Sequence, residues 1–120
     1  MAEHNNTGKA GEERAAEYLI EKGYQILCRN WHNRGRKELD IVACKDNTLV
    51  FVEVKTRRAG SLSDPLAAVD GRKQHRLVLA ADSFIRAKRI DMNARFDVIA
   101  ITGTEIVHIE NAFMPSMSCY

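Results

Sequence analysis

The chain predicts an α/β fold in which a mixed β-sheet is flanked by helices. Three observations predict it. Residues 38 to 55 alternate in polarity on either side of a polar turn at Asp46-Asn47, which makes them the two strands of a hairpin. A stretch with helical period lies on each side of that hairpin, and each carries an apolar stripe that a sheet face can cover. The second of these helices leads into two more strand-like runs, so a helical crossover separates two hairpins and the sheet is of mixed direction.

Bulk properties narrow the class. A length of 120 residues suits a single domain spanning 1–120, and 45% hydrophobic with 28% charged residues excludes a disordered chain. No apolar run reaches membrane-spanning length and the polar N-terminus has no signal-peptide core, so no membrane partner is expected and a cytoplasmic location is. Cys28, Cys44 and Cys119 show no CxxC spacing, against a disulfide framework or zinc knuckle. His4, His32, His75 and His108 are likewise scattered, without an i, i+4 pair. The net charge of +2 selects no partner, but its distribution does. Arg29, Arg34, Arg36 and Lys37 crowd one loop, Arg57 and Arg58 follow a strand, and Arg72, Lys73 and Arg76 open a helix. That arrangement would hold a polyanion, the plainer reading being solvated basic loops.

Taken in order, residues 1 to about 6 read as a polar arm. A helix follows from about Thr7 to Lys22, closed by Gly23 at the position where a left-handed residue is wanted. Its apolar stripe is Ala15, Ala16, Leu19 and Ile20, and Glu12 falls within that stripe. A carboxylate aimed at the core is unfavourable unless paired or bound to a metal; the alternative is an acid that favours the helix N-terminal dipole. Tyr24 to Cys28 is a short strand, and Asn30 to Lys37 a basic loop whose Trp31 either stacks on a base or packs.

The hairpin carries the chemistry. With the turn centred at Asp46-Asn47, Asp40 falls opposite Glu53 and Glu38 opposite Lys55, with Cβ atoms roughly 5 Å apart in each pair. Like charges so opposed destabilise a sheet, and a hard divalent cation is the usual compensation; splaying into water is the alternative. The other face (Leu39, Ile41 and Ala43 with Val50, Val52 and Val54) is apolar throughout, so the hairpin belongs inside a covered sheet.

Residues 56 to 64 form a flexible basic loop. Asp64-Pro65 starts a brief helical turn, and Asp70-Gly71 starts a longer helix ending near Arg89 with the stripe Leu77, Ala80, Ala81 and Phe84. Lys73, at the N-terminal end of that stripe, reaches a phosphate, the carboxylates, or water. Arg95 to Thr102 and Glu105 to Glu110 are strands about a Gly103-Thr104 turn. Asp97 is read as structural, and residues 111–120 as a tail.

Glu12, Asp40 and Glu53-Val54-Lys55 on this frame resemble the PD-(D/E)XK nuclease superfamily, including archaeal Holliday-junction resolvases. Gly11-Glu12, Tyr18-Leu19, Gly23-Tyr24, Asn30-Trp31, Glu38-Leu39-Asp40, Phe51 to Arg57, Lys73 and Arg95-Phe96-Asp97 are similar to the YraN family of small endonuclease-like proteins. Leu39 stands where the superfamily's name has proline, and Lys37 where the family has a small residue, usually glycine.

The resemblance implies a restriction-endonuclease-like αβββαβ core and a hydrolase acting on DNA, on branched or recombination intermediates in recombination or repair. It implies that Asp40 and Glu53 hold Mg²⁺ or Mn²⁺ with the Val54 carbonyl, that Glu12 joins through water, and that Lys55 orients or deprotonates the attacking water. Arg34, Arg36, Arg57, Arg58 and Lys73 are the expected nucleic-acid contacts, and a two-fold homodimer suits cleavage of two strands. Two other classes stay open: a nucleic-acid-binding or adaptor protein with little catalysis, and an interaction module whose carboxylates pair internally with Lys55 and Lys73.

Overall fold

The computed structural model describes residues 2–115, and the side chains of residues 8–115. Helix α1 spans Ala2–Glu21, followed by β1 (Gln25–Asn33), β2 (Arg36–Lys45), β3 (Thr48–Arg57), a 3-10 turn (Pro65–Ala68), α2 (Gly71–Lys88), β4 (Asn93–Thr102) and β5 (Glu105–Phe113). The five strands lie in chain order, antiparallel except for β3 and β4, which the α2 crossover makes parallel. The mixed sheet flanked by helices is therefore as expected.

Three boundaries differ from the sequence reading. α1 already runs through residues 2–6, the expected arm. The expected basic loop from Asn30 to Lys37 is mostly strand: β1 and β2 close through a two-residue turn, Arg34 (φ 56°) and Gly35 (φ 80°), a pair of positive φ values that matches strand twist. β5 extends through Phe113 into the expected tail, whose residues 116–120, with Cys119, lie outside the described ones.

Local chemistry sets the helix ends. Gly23 (φ 93°) ends α1, with its N–H bonded to Ile20 O at 3.0 Å and that of Tyr24 to Leu19 O at 2.9 Å. The Asp64 carboxylate accepts from the Leu66 N–H and the Asp70 carboxylate from the Lys73 N–H, both at 2.9 Å, so each starts its helical segment as an N-cap.

The two faces of the sheet bury different helices. Ala15, Ala16 and Leu19 of α1 pack on Ile41, Ala43, Val50, Val52, Ile99 and Ile101. Leu77, Ala80, Ala81 and Phe84 of α2 pack on Val42, Leu49, Phe51, Phe96 and Val98. Ile20 is 58% exposed and does not belong to the stripe. Trp31 meets Phe84 edge to face at 5.5 Å and is thus packing beneath α2. Cys28 and Cys44 are free thiols.

α1 lies against β3 at Gly11, where an added Cβ would collide with Oγ1 of Thr56, its next neighbour being the Thr56 Cβ at 3.6 Å. Alanine is otherwise the better helix former by about 1 kcal/mol. Gly11→Ala is thus expected to destabilise the wild type by about 1–3 kcal/mol, yet to stabilise a Thr56→Ala background, where only the ordinary contact remains. Urea midpoints around this double-mutant cycle check the reversal of sign.

Candidate metal and nucleic-acid site

The β2–β3 ladder follows the expected register from Lys45↔Thr48 up to Ile41↔Val52 and stops there, one pair short of Asp40 and Glu53. Beyond Ile41 the Asp40 carboxylate takes the place of a backbone acceptor: its Oδ2 accepts from the Val54 N–H at 2.9 Å. The strands part where like charges would have been held face to face. On its other side β2 pairs Leu39 with Trp31 but Lys37 with His32, which leaves Glu38 as an extra, bulged residue. A bulge advances the face pattern by one, so Lys37 and Asp40 end on the same side of the strand. Past the end of the β2–β3 ladder, Leu39 falls in the cluster beneath α2 and not with Ile41 and Ala43, a departure from simple alternation.

The expected site residues come together unevenly. α1 packs on the apolar face of Ile41, Ala43, Val50 and Val52, and Glu12 meets Asp40 at the end of the sheet through Lys37. There Lys37 Nζ lies 2.6 Å from Glu12 Oε2 and 2.7 Å from Asp40 Oδ1, an ammonium between two carboxylates that are 14% and 12% exposed. Lys73 Nζ, from the first turn of α2, lies 3.0 Å from Glu53 Oε2. Lys55 is exposed and makes no ion pair among the described residues, and the expected Glu38–Lys55 pairing does not form. Among the described residues, no three of His, Cys, Asp and Glu converge as a ready-made ion cage.

Electrostatics follow from this crowding. Burial, then the neighbouring Asp40 charge, push the Glu53 carboxyl from 4.5 to about 7, against the pull of Lys73. Burial lowers the Lys37 ammonium, but its bonds to Asp40 and Glu12 outweigh it and hold the group above its ordinary value. The donors present, carboxylate oxygens and the Val54 carbonyl, are the hard oxygens that Mg²⁺ and Mn²⁺ take. The Lys37 ammonium marks where a positive charge is already held among them.

A groove of about 550 Å³ between the β1–β2 turn and α2 is lined by Arg34, Arg36 and Arg76, with Glu38, Asp82 and the exposed Leu79. A smaller cleft of about 60 Å³, shared by Arg36, Glu38 and Arg76, continues it to Lys37 and Lys73. Arg58 is exposed. Arg57 is committed elsewhere: its Nε donates to Thr102 Oγ1 at 3.1 Å and its Nη1 to the Ser63 carbonyl, tying the loop after β3 to β4.

Asp97, fully buried, turns to the α1 side. It takes both Nε and Nη2 of Arg95 at 2.8 Å, His108 Nε2 at 2.7 Å and the Asn111 N–H at 3.0 Å. Arg95 also reaches Tyr24 OH at 2.7 Å, and Tyr18 OH lies 3.2 Å from His108 Nδ1. A cavity of about 330 Å³ beside this network has Lys22, Lys45 and Arg95 offset by Asp46 and Glu110, apart from the other acids. Sequence reasoning found Asp97 structural without its partners, and missed Lys37 as a partner of the acids. The signals available were Arg95 at i−2, on the same strand face, and a lysine three residues before Asp40.

Parted strands around two acids, in a mixed sheet with a helix on each face, define a nuclease-like α/β fold. The solved structure of Hjc, a Holliday junction resolvase from Archaeoglobus fulgidus, superposes with a TM-score of 0.55, covering 85% of this chain and 75% of that one at 18% identity, a likeness of fold. The chain belongs to the family described as Uncharacterised protein family UPF0102, whose model matches residues 11–101, as the YraN resemblance anticipates. It is 49% identical over 119 residues to a UPF0102 protein of Phocaeicola vulgatus (96% of this chain, 98% of that one) and 50% identical over 121 to one of Bacteroides thetaiotaomicron (98% and 99%). No helix among the described residues is long and apolar enough to cross a membrane.

Proposed function

We propose that the protein is a divalent-metal-dependent endonuclease that hydrolyses phosphodiesters in branched or recombination DNA. One observation carries the reading: Asp40 and Glu53, from neighbouring strands, sit together and nearly buried at the parted end of the sheet, where a basic groove arrives. Asp40, Glu53 and the Val54 carbonyl are the groups to hold Mg²⁺ or Mn²⁺, with Glu12 joining through water. A bound divalent ion supplies acidity to water and neutralises phosphate charge. Arg34, Arg36, Arg58 and Lys73 hold phosphates, Arg57 shaping the loop that carries Arg58. Lys55, one pleat beyond Glu53, turns in to orient the attacking water. Cleavage of paired strands requires two copies, for which a two-fold dimer is the economical arrangement. The DNA substrate puts the protein in the cytoplasm.

A second reading has its own support. Lys37 and Lys73 already neutralise the acids while Lys55 stays in solvent, which suits a nucleic-acid-binding protein with little catalysis. Purified protein offered duplex, single-stranded and four-way-junction DNA with Mg²⁺ or Mn²⁺ separates the two. The nuclease reading expects cleavage that Asp40→Ala and Glu53→Ala each reduce at least about a hundredfold, the scale of losing a charge-stabilising group in a site. No cleavage with either metal, together with salt-sensitive binding that survives Asp40→Ala, selects the second.

A further inference from the structure

The Lys37 ammonium occupies a border. On one side it bonds Glu12 and Asp40 at 2.6 and 2.7 Å; on the other it lines the small cleft with Arg36, Lys73 and Arg76 that opens into the basic groove. A divalent cation on Asp40 Oδ1 and an ammonium 2.7 Å from the same oxygen repel each other, so the two compete for the site. The side chain is 38% exposed and, as an unbranched lysine, turns about its stem without moving the bulged strand that carries it. A DNA phosphate backbone in the groove offers that ammonium an alternative anion within its own reach. We propose that Lys37 is a displaceable counter-ion: it occupies the acids of the free protein, and an incoming phosphate backbone draws it into the groove and so frees Asp40 and Glu12 for metal.

This rests on the proposed nucleic-acid and metal site, and it has a consequence that catalysis does not touch. Metal and DNA bind cooperatively, and each tightens the other by the same factor. Lys73 on Glu53 adds a second, weaker brake of the same kind, from a more rigid helical position.

The test reads free Mn²⁺ by electron paramagnetic resonance, with and without a short synthetic DNA duplex, and duplex affinity with and without Mn²⁺. Lys37→Met is expected to bind Mn²⁺ about tenfold or more tightly than wild type in the absence of DNA, the scale of removing one contacting like charge at a partly exposed site. The duplex should tighten Mn²⁺ binding severalfold in wild type, Mn²⁺ should tighten duplex binding equally, and in Lys37→Met both effects should shrink to the weaker share left by Lys73. Lys37→Gln, a polar replacement, should behave alike, and circular dichroism checks that both variants fold. Lys88→Met removes an exposed charge at the far end of α2, outside both clefts, and should change Mn²⁺ affinity less than about twofold. Equal Mn²⁺ affinity in wild type and both Lys37 variants overturns the counter-ion, whether or not DNA is cleaved. Absence of Mn²⁺ binding throughout overturns it together with the metal site. Coupling without cleavage supports it while removing the endonuclease reading.

Discussion

Asp97→Asn is expected to destabilise the protein by about 3 kcal/mol or more, the largest effect of any single isosteric change in the chain. Asp97 has no exposed surface and, among the described residues, supplies the one negative charge bonded to both Arg95 and His108. Burial pushes its carboxyl up, but the bonds from His108, Arg95 and the Asn111 N–H outweigh this and hold it below its ordinary value. The amide keeps the shape, loses the charge, and must turn an NH₂ group toward donors. Arg95 is then left part-buried without its main partner, and such a charge is more unfavourable than the intact pair is favourable. Because the folded carboxyl titrates lower than the unfolded one, its stabilisation is present above about pH 4 and lost as pH falls through the folded value. The gap between wild type and Asp97→Asn should therefore be full at pH 7 and narrow below pH 4. Thermal unfolding reads the difference as a drop of roughly 10 °C or more. A loss under about 1 kcal/mol at neutral pH would mean that the network is solvated and that β4, β5 and α1 are held by apolar packing alone.

What was legible in the sequence depended on how local its cause was. The β2–β3 register was readable because the two-residue turn, Asp46 (φ 50°) and Asn47 (φ 61°), and the alternation on both sides agree on one pairing. The α2 stripe was readable for the same reason, the four residues expected to be buried being the buried ones. The Arg34-Gly35 turn carried a similar signal, a glycine in second place, but basic residues around it read as loop. The bulges were not readable. Glu38 is extra only relative to β1, and three β5 residues, Glu110 to Ala112, face the single Asp97 between Phe96↔Phe113 and Val98↔Ile109. These irregularities decide the site: one swings Lys37 onto Asp40, and the other aims the Asn111 N–H, at φ 51°, into Asp97. Alternation alone assigns a lysine at position 37 to the face opposite Asp40, and so hides the contact that the two residues make.

Glu53→Gln should behave in the opposite sense to Asp97→Asn and stabilise the protein at alkaline pH. Burial and Asp40 raise the folded Glu53 carboxyl to about 7 from an ordinary 4.5, so between those values the folded chain binds more proton than the unfolded one. Stability tied to Glu53 is then present in full below about pH 4.5 and falls as pH rises to about 7, since the unfolded state ionises first. A tenfold difference in proton affinity is about 1.4 kcal/mol, and with 17% of the side chain exposed the expected decline is about 2–3 kcal/mol. Glutamine cannot ionise, so the variant should match wild type near pH 4 and exceed it near pH 8. The gain will be trimmed by whatever Lys73 loses, which is little because Lys73 is 33% exposed and water replaces its partner. Urea midpoints at the two pH values in the presence of a chelator measure the difference. Parallel profiles for wild type and variant would mean that Lys73 neutralises Glu53 fully in the resting protein. A declining wild-type profile that Mn²⁺ flattens, while leaving Glu53→Gln unmoved, would tie the acid's instability to the ion it holds, since a cation that needs ionised Glu53 stabilises only the form that burial penalises. A residue whose removal makes the protein more stable is kept for something other than folding, which agrees with the cation-holding role proposed for Glu53.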